Sequence, residues 1–381
     1  MKLDEKFFAE IAENYGTPLY IYDADEIRTK VNSAKQVFTG LDARIFFALK
    51  ANSNPHILKL FKDLGINADV VGPVEIESAK RCGMAEMILN GNGKTTSTRD
   101  YFLNSGGKLV SMDSLEEIGL WQKSRITKFL RINPDIYAGG HPNISTGGRN
   151  HKFGVTPQEA EKVADKLSGL HVHIGSQITT TDPYEAAYSK VIQLSNRLGF
   201  SWLDIGGGWG IKYQEDELDP IEFRRRVVPI LSNFKGKIVV ELGRFLVATA
   251  GFLLLRVSEV KRAGKVFVVT DGGMNVLIRP AMYDAWHRIS TIGPKGKLGR
   301  CDVVGPLCET GDVLAKDREM EIPEPGALLL IENTGAYGFS MASNYNGFPK
   351  PAEVMLENGK TKLIRQRETV EDLFRGIPPI L

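Results

Sequence analysis

A lysine closes the apolar run "RIFFALK" and is followed at once by "ANSNPHILKLF", so Lys50 stands between a strand pattern and a helix start. An amine in that position is either a surface charge or a nucleophile, and only its deprotonated form attacks a carbonyl carbon. Further along, "VVELGRF" sets Glu241 directly after Ile238, Val239 and Val240, with Gly243 and Arg244 behind it. A carboxylate at the end of an apolar run is costly unless a cationic or protonated partner meets it, so the motif reads either as a surface ion pair or as part of a site. In "DIGGGWG" three glycines, Gly206 to Gly208, follow a strand pattern. Bare backbone N–H groups can approach an anion there, although a tight structural turn needs the same residues. The motif lacks the Lys-Ser/Thr pair of a P-loop, which disfavours nucleoside-triphosphate hydrolysis. "GLHVHIGSQ" puts His171 and His173 on one side of a strand with Ser176 just after it. No third ligand has a fixed spacing from them, so a metal is not expected. "GPLCETGD" brings Cys308, Glu309 and Asp312 into one loop, where a lone cysteine is by default an inert residue.

The elements that must position these groups are legible as periodic runs. "RIFFALK", "NADVV", "EMILN", "KLVSMD", "TKFLRIN", "GLHVHIG", "SWLDIGGG" and "KIVVELG" are eight short strand patterns, separated by segments with helical spacing. The clearest of these segments has Asn54 as N-cap, Pro55 at the first helical position, Ile57, Leu58, Phe61 and Leu64 on one stripe, and Gly65 as the stop. Alternation of strand and helix favours a parallel sheet, and eight units in about 220 residues match a (β/α)8 TIM-type barrel better than an open doubly wound sheet. That fold places chemistry at the C-terminal strand ends. The runs end there with Lys50, Asp69, Asn90, Asp113, Asn133, His173, Gly206 to Gly208 and Glu241.

Residues 24–254 are therefore read as the barrel. From Leu255 onward the pattern changes to strands with Gly, Asn and Asp turns, predicting a mainly β C-terminal domain of Greek-key or barrel-like form over 255–381. Residues 1–23, a short helix and then "PLYIYD", can add a strand to that domain or lead into the barrel. The chain of 381 residues has room for both domains. Its 48 basic and 46 acidic side chains nearly cancel, which gives no reason to expect nucleic acid or an anionic membrane as partner. Cys82, Cys301 and Cys308 have no paired spacing, so reduced thiols are expected. No signal-peptide pattern and no run near the roughly 20 apolar residues of a membrane span is present, so the expected location is the cytoplasm.

Taken in order, "FFALKAN", "RINPDI", "HPNISTGGRNHKFGV", "HVHIGSQ", "LDIGGGWG", "ELGR", "LIRPAMYDAWH", "GPLCETGD" and "GAYGFSMASNYNGFPKPAEV" resemble the pyridoxal-phosphate decarboxylases of the alanine-racemase-like fold, most closely their diaminopimelate-acting branch. The resemblance runs nearly the whole chain. It departs from the family at Leu242, where a proline is usual, and at Gly72-Pro73-Val74, where a glycine pair is usual.

The resemblance implies that Lys50 carries pyridoxal 5'-phosphate and that Glu241 faces its pyridine nitrogen. It places His173 against the ring, Asp69 in the cofactor's neighbourhood, and the phosphate on Ser176, Gly207, Gly243, Arg244 and Tyr337. Arg244, Arg279, Tyr283 and Tyr337 are implied on the substrate, with guanidinium groups suited to the carboxylate that is not lost. Glu309 is implied for the distant ammonium and Cys308 as the acid that protonates the α-carbon. A distal end bearing both charges fits meso-2,6-diaminopimelate better than ornithine or lysine. The family further implies a homodimer in which the Cys308 loop serves the partner's active site. The alternatives are a related decarboxylase for ornithine, arginine or carboxynorspermidine, an amino-acid racemase, which Glu241 argues against, and a non-catalytic cofactor-binding homologue.

Overall fold

A computed structural model describes residues 3–136, 152–214 and 216–378. The chain divides into two compact units, residues 28–246 and residues 1–27 together with 247–381.

The first strand, β1 (Leu19–Asp23), belongs to the second of these units. The next eight build the first: β2 (Ala43–Ala48), β3 (Asn67–Val70), β4 (Met87–Leu89), β5 (Leu109–Met112), β6 (Thr127–Arg131), β7 (Gly169–His171), β8 (Trp202–Asp204) and β9 (Lys237–Leu242). They close as a parallel barrel in sequence order, β9 returning to β2 with Phe46 opposite Glu241. Each strand is one of the apolar runs read from the sequence, because a strand covered on both faces needs apolar side chains on both. Phe46, Ile88, Leu109, Phe129 and Val239 form one buried cluster of the barrel, with Trp202 packed against it. The interior is therefore filled by side chains.

The helix after β2 illustrates how local sequence fixes the outer layer. Asn54 caps it by accepting from the His56 N–H at 3.0 Å, Pro55 opens it, and Gly65 leaves it at φ +68°. Glycine tolerates that left-handed conformation at little cost. The helix Pro55–Asp63 buries Ile57, Leu58, Leu60 and Phe61, and Phe61 stacks on Phe47 of β2 with ring centroids 4.1 Å apart. Fully burying such a side chain is worth about 1.5–3 kcal/mol, so the stack helps pin the end of β2 that precedes Lys50.

The second unit is a sheet of nine strands among the described residues: β1, β10 (Gly251–Ala263), β11 (Lys265–Thr270), β12 (Ile289–Ile292), β13 (Lys295–Val304), β14 (Val313–Pro323), β15 (Leu328–Ile331), β16 (Ala352–Glu357) and β17 (Lys360–Arg365). Its main path is β14-β13-β11-β10-β1-β16-β17, and β15 joins β10 to β12. β1 lies antiparallel to β10 and parallel to β16, so the chain's first strand sits inside the sheet. β10 starts at Gly251, within the span first read as barrel. The helix Glu5–Tyr15 packs Phe7, Phe8, Ile11 and Ala12 on Leu19, Ile21, Leu254, Leu330 and Val354. No described helix is long and apolar enough to cross a membrane.

Candidate active site

The rim of the barrel collects the strand-end residues. Lys50 lies in a single 3-10 turn, Leu49–Ala51, that continues β2; Leu49 and Ala51 are buried and Lys50 is exposed. From there the charge of Lys50 acts on the Asp69 and Glu75 carboxyl groups. Asp69 at the end of β3 is buried, and Asn90 after β4 bridges it to Glu241: the Asn90 Nδ2 donates to Asp69 Oδ1 at 2.7 Å and to Glu241 Oε1 at 2.5 Å. Burial, then the charge of Glu241, pushes the Asp69 carboxyl up to about 8 against the pull of Lys50, so it is protonated at neutral pH. Glu75, in the helix Pro73–Arg81 that Gly72 caps, accepts from the Val71 N–H at 2.7 Å, and burial raises its pKa. The Gly72-Pro73-Val74 departure therefore keeps a working helix start.

Leu242, where the family has proline, is buried and continues β9 opposite Phe47 of β2. The strand-end register of Glu241 is held by its own N–H, which donates to the Gly206 carbonyl at 2.8 Å.

His171 and His173 take different places. His171 is buried, its Nδ1 2.5 Å from the Ser111 Oγ and its Nε2 3.5 Å from Glu241 Oε2. His173 is half-buried and its Nδ1 accepts from the Gly207 N–H at 3.1 Å, which leaves the ring proton on Nε2 when the imidazole is neutral. Burial, then the positive charge of Arg131, holds both rings well below the ordinary histidine pKa. Both are neutral at pH 7.

The triple glycine after β8 is a close-packed turn. A Cβ at Gly207 would stand 1.8 Å from the Glu241 carbonyl oxygen, and one at Gly208 would stand 2.2 Å from the Gly175 carbonyl oxygen. Only glycine fits where this turn crosses the ends of the neighbouring strands. Beside it the buried Arg244, at the start of the short helix Arg244–Val247, donates Nη1 to the Tyr213 hydroxyl at 2.9 Å and Nη2 to the Ser176 Oγ at 3.2 Å. Gly243 links this helix to β9.

In the β unit, Arg279 opens the helix Arg279–Tyr283, is buried, and holds its Nη1 3.0 Å from His287 Nε2. His287 Nδ1 lies 2.9 Å from the Glu332 carbonyl, so it is the donor there and Nε2 accepts from the guanidinium. Tyr283 ends that helix half-buried, and Tyr337 adopts φ +57°. Cys308 and Glu309 are exposed in the loop between β13 and β14, and the Tyr345 hydroxyl is hydrogen-bonded to Glu309. Asp312 is the anchor of that loop, its carboxylate accepting from Met274 N at 2.6 Å and Leu307 N at 2.7 Å. Gly273 and Gly305 leave the room this carboxylate occupies.

Asn90, Asp204, Arg131 and Tyr213 had no assigned part in the sequence reading. Asn90 did carry a signal, being the polar end of an apolar run; Asp204 stood just before the glycines at which its run was read to end, and Tyr213 carried none. The segment "HPNISTGGRNHKFGV" falls largely on 137–151, outside the described residues.

Comparison with known proteins adds the identity of this arrangement. Residues 24–248 match the pyridoxal-binding domain of the pyridoxal-dependent decarboxylases. The diaminopimelate decarboxylase of Aquifex aeolicus is 41% identical over 95% of this chain and 92% of its own, and that of Helicobacter pylori is 38% identical over 97% of both. The chain belongs to the diaminopimelate decarboxylase family. The crystal structure of the Helicobacter pylori diaminopimelate decarboxylase in complex with L-lysine aligns with a TM-score of 0.93 and 36% identity over 97% of this chain and 98% of that one.

The cofactor of this family is pyridoxal 5'-phosphate, and the rim fits it. An exposed amine suits its aldehyde, and a buried acid cluster suits a ring nitrogen that must stay protonated. A buried guanidinium beside a turn too tight for any Cβ suits a phosphate dianion. Family membership makes the chain a pyridoxal-phosphate-dependent carboxy-lyase.

Proposed function

We propose that the protein decarboxylates meso-2,6-diaminopimelate to L-lysine and carbon dioxide, the last step of lysine biosynthesis. The observation that carries the substrate is the full-length match to diaminopimelate decarboxylases, one of them crystallised with L-lysine. Bound pyridoxal 5'-phosphate supplies an acceptor for the electron pair released when the carboxylate leaves.

The residues divide the remaining work. Lys50 holds the cofactor and yields its place to the substrate amine. Glu241 keeps a proton on the pyridine nitrogen, with Asp69 in its neighbourhood, and neutral His173 covers the ring. Ser176, Gly207, Gly243, Arg244 and Tyr337 hold the phosphate. Arg244, Arg279, Tyr283 and Tyr337 hold the substrate, the two guanidinium groups pairing with the carboxylate that stays. Glu309 takes the distal ammonium. Cys308 delivers a proton to the α-carbon, which requires the thiol form. The Cys308 loop serves the site of a second copy of the chain, so the working enzyme is a homodimer, located in the cytoplasm.

The test is a substrate panel. A site that pairs buried polar groups with a substrate group rejects an analogue lacking it by about 10⁴–10⁵-fold at most, so ornithine, without the distal carboxylate, is expected to react far more slowly than meso-diaminopimelate. Equal kcat/KM on the two would sink the substrate assignment. A second measurement addresses the shared site. Cys308→Ala is expected to retain cofactor and turn over about 10²–10⁴-fold more slowly, the usual weight of a general acid. Mixing it with Lys50→Ala is then expected to restore part of the activity through mixed dimers carrying one intact site; no recovery on mixing would reject the shared arrangement.

A further inference from the structure

We propose that Asp204 is a positioning residue that works as a neutral acid, donating its proton in a hydrogen bond to Glu241 and so keeping the negative charge of the cluster on Glu241. The proposal rests on the reading of Glu241 as the partner of the pyridine nitrogen.

Asp204 ends β8 with no solvent exposure. Its Oδ1 accepts from the Gly206 N–H at 2.9 Å, while its Oδ2 is buried and meets no donor among the described residues. Ligand-capable atoms of Asp204, Glu241 and His171 lie within 4.8 Å of one another. Glu241 is served by Asn90 Nδ2 at 2.5 Å, and His171 Nε2 stands 3.5 Å from its other oxygen. With the His171 ring neutral and the Ser111 hydroxyl donating to Nδ1, the ring proton is on Nε2, which makes no hydrogen bond and only stands near Glu241. The Asn90 amide therefore serves Glu241 and Asp69, while Asp204 has only the Gly206 backbone N–H.

Two buried carboxyl groups this close cannot both be ionised. The nearby cations do not change that. Arg131 is drawn most to Asp113, 3.6 Å away, and the charge of Lys50 falls on Asp69 and Glu75. Of the other titratable neighbours, Asp69 is itself pushed up to about 8, and Tyr188 spends its hydroxyl on the Ile205 carbonyl at 2.9 Å. The proton belongs on the carboxyl that no described side chain donates to and whose Oδ2 is unserved, which is Asp204. Burial, then Glu241, raises its pKa well above the ordinary range, in accord with the geometry. The neutral acid supplies a donor to Glu241 through Oδ2 and an acceptor to Gly206 through Oδ1. Asparagine reproduces both functions, Nδ2–H in place of O–H; alanine reproduces neither.

The experiment compares Asp204→Asn and Asp204→Ala with the native dimer. Pyridoxal 5'-phosphate affinity is measured by absorbance titration of the apoenzyme, and the protonated-carboxyl C=O stretch by infrared difference spectroscopy. The asparagine variant is expected to stay within about threefold of native in cofactor affinity, because the hydrogen bond is kept. The alanine variant is expected to lose about tenfold or more, the size of a lost bond to a charged group. The native protein is expected to show a protonated-carboxyl band that the asparagine variant lacks. Losses in the asparagine variant as large as in alanine, or no such band, would overturn the proposal. One equivalent of divalent metal in the purified protein, lost in the asparagine variant, would overturn it too, because the same three groups would then be holding a cation. If alanine fails to fold, the asparagine variant and the infrared band still decide. None of these readouts uses diaminopimelate, so a wrong substrate assignment shows separately, as a native dimer that binds the cofactor and does not release carbon dioxide.

Discussion

Lys50→Ala is expected to lower kcat on meso-diaminopimelate by on the order of 10³-fold or more while leaving the fold unchanged, since the variant loses the nucleophile proposed to anchor the cofactor. The separation of the two effects follows from where the residue sits. Leu49 and Ala51 are buried and hold the 3-10 turn; the Lys50 side chain is exposed. Removing an exposed side chain usually changes stability by no more than about 0.5 kcal/mol, and alanine suits a helical turn. Thermal unfolding of the apoenzyme should therefore superpose on that of the native chain. Borohydride reduction of the native holoenzyme followed by peptide mapping should label Lys50. A label on another lysine, or a Lys50→Ala enzyme with near-native kcat, would remove Lys50 from the centre of the site.

Why the place of Lys50 at a strand end was legible in the sequence, while its surroundings were not, has a physical basis. A barrel strand is apolar on both faces and stops at a polar rim, so the eight runs and their last residues were readable one by one. The partners of those residues come from other strands. Asn90 follows β4, Glu241 is the last residue but one of β9 and Asp204 ends β8, and their meeting depends on barrel closure and register rather than on local pattern. The period-two argument put His171 and His173 on one side of a strand, yet the strand ends at His171 and the two rings serve different neighbours. In the β unit, β14 reads "VLAKDREMEIP" and exposes many charged side chains, so no apolar run announced it. β12 has only four residues and was missed for its length. The parallel pairing of Leu19–Asp23 with Ala352–Glu357 joins opposite ends of the chain, a contact that no local signal encodes. Asp312 looked like a second acid of the Cys308 loop and is instead the group that fixes the loop's shape.

Glu241→Gln carries the second large expected effect and tests the electronic half of the mechanism. Glutamine keeps the size of the side chain and its acceptor for Asn90, so cofactor binding and the closed strand β9 should survive. What it removes is the negative charge. A neutral amide cannot hold a proton on the pyridine nitrogen, and it also presents an N–H donor where a carboxylate oxygen accepted. In the native cluster one amide, Asn90 Nδ2, donates both to Oε1 at 2.5 Å and to Asp69 at 2.7 Å, and His171 Nε2 stands 3.5 Å from Oε2. A glutamine that keeps its oxygen on Asn90 turns its amide nitrogen toward His171 Nε2. The expected loss is about 10²–10³-fold in kcat, the usual effect of deleting one preorganised electrostatic group. The electron sink is needed only as the carboxylate leaves, so kcat and kcat/KM should fall together with KM little changed. A rise in KM at constant kcat would instead show that Glu241 serves binding. Glu241→Asp keeps the charge but withdraws it by one methylene, and should fall between the two. That ordering, native above aspartate above glutamine, is what a charge-based role requires; a role in packing alone would favour the isosteric glutamine over the shorter aspartate.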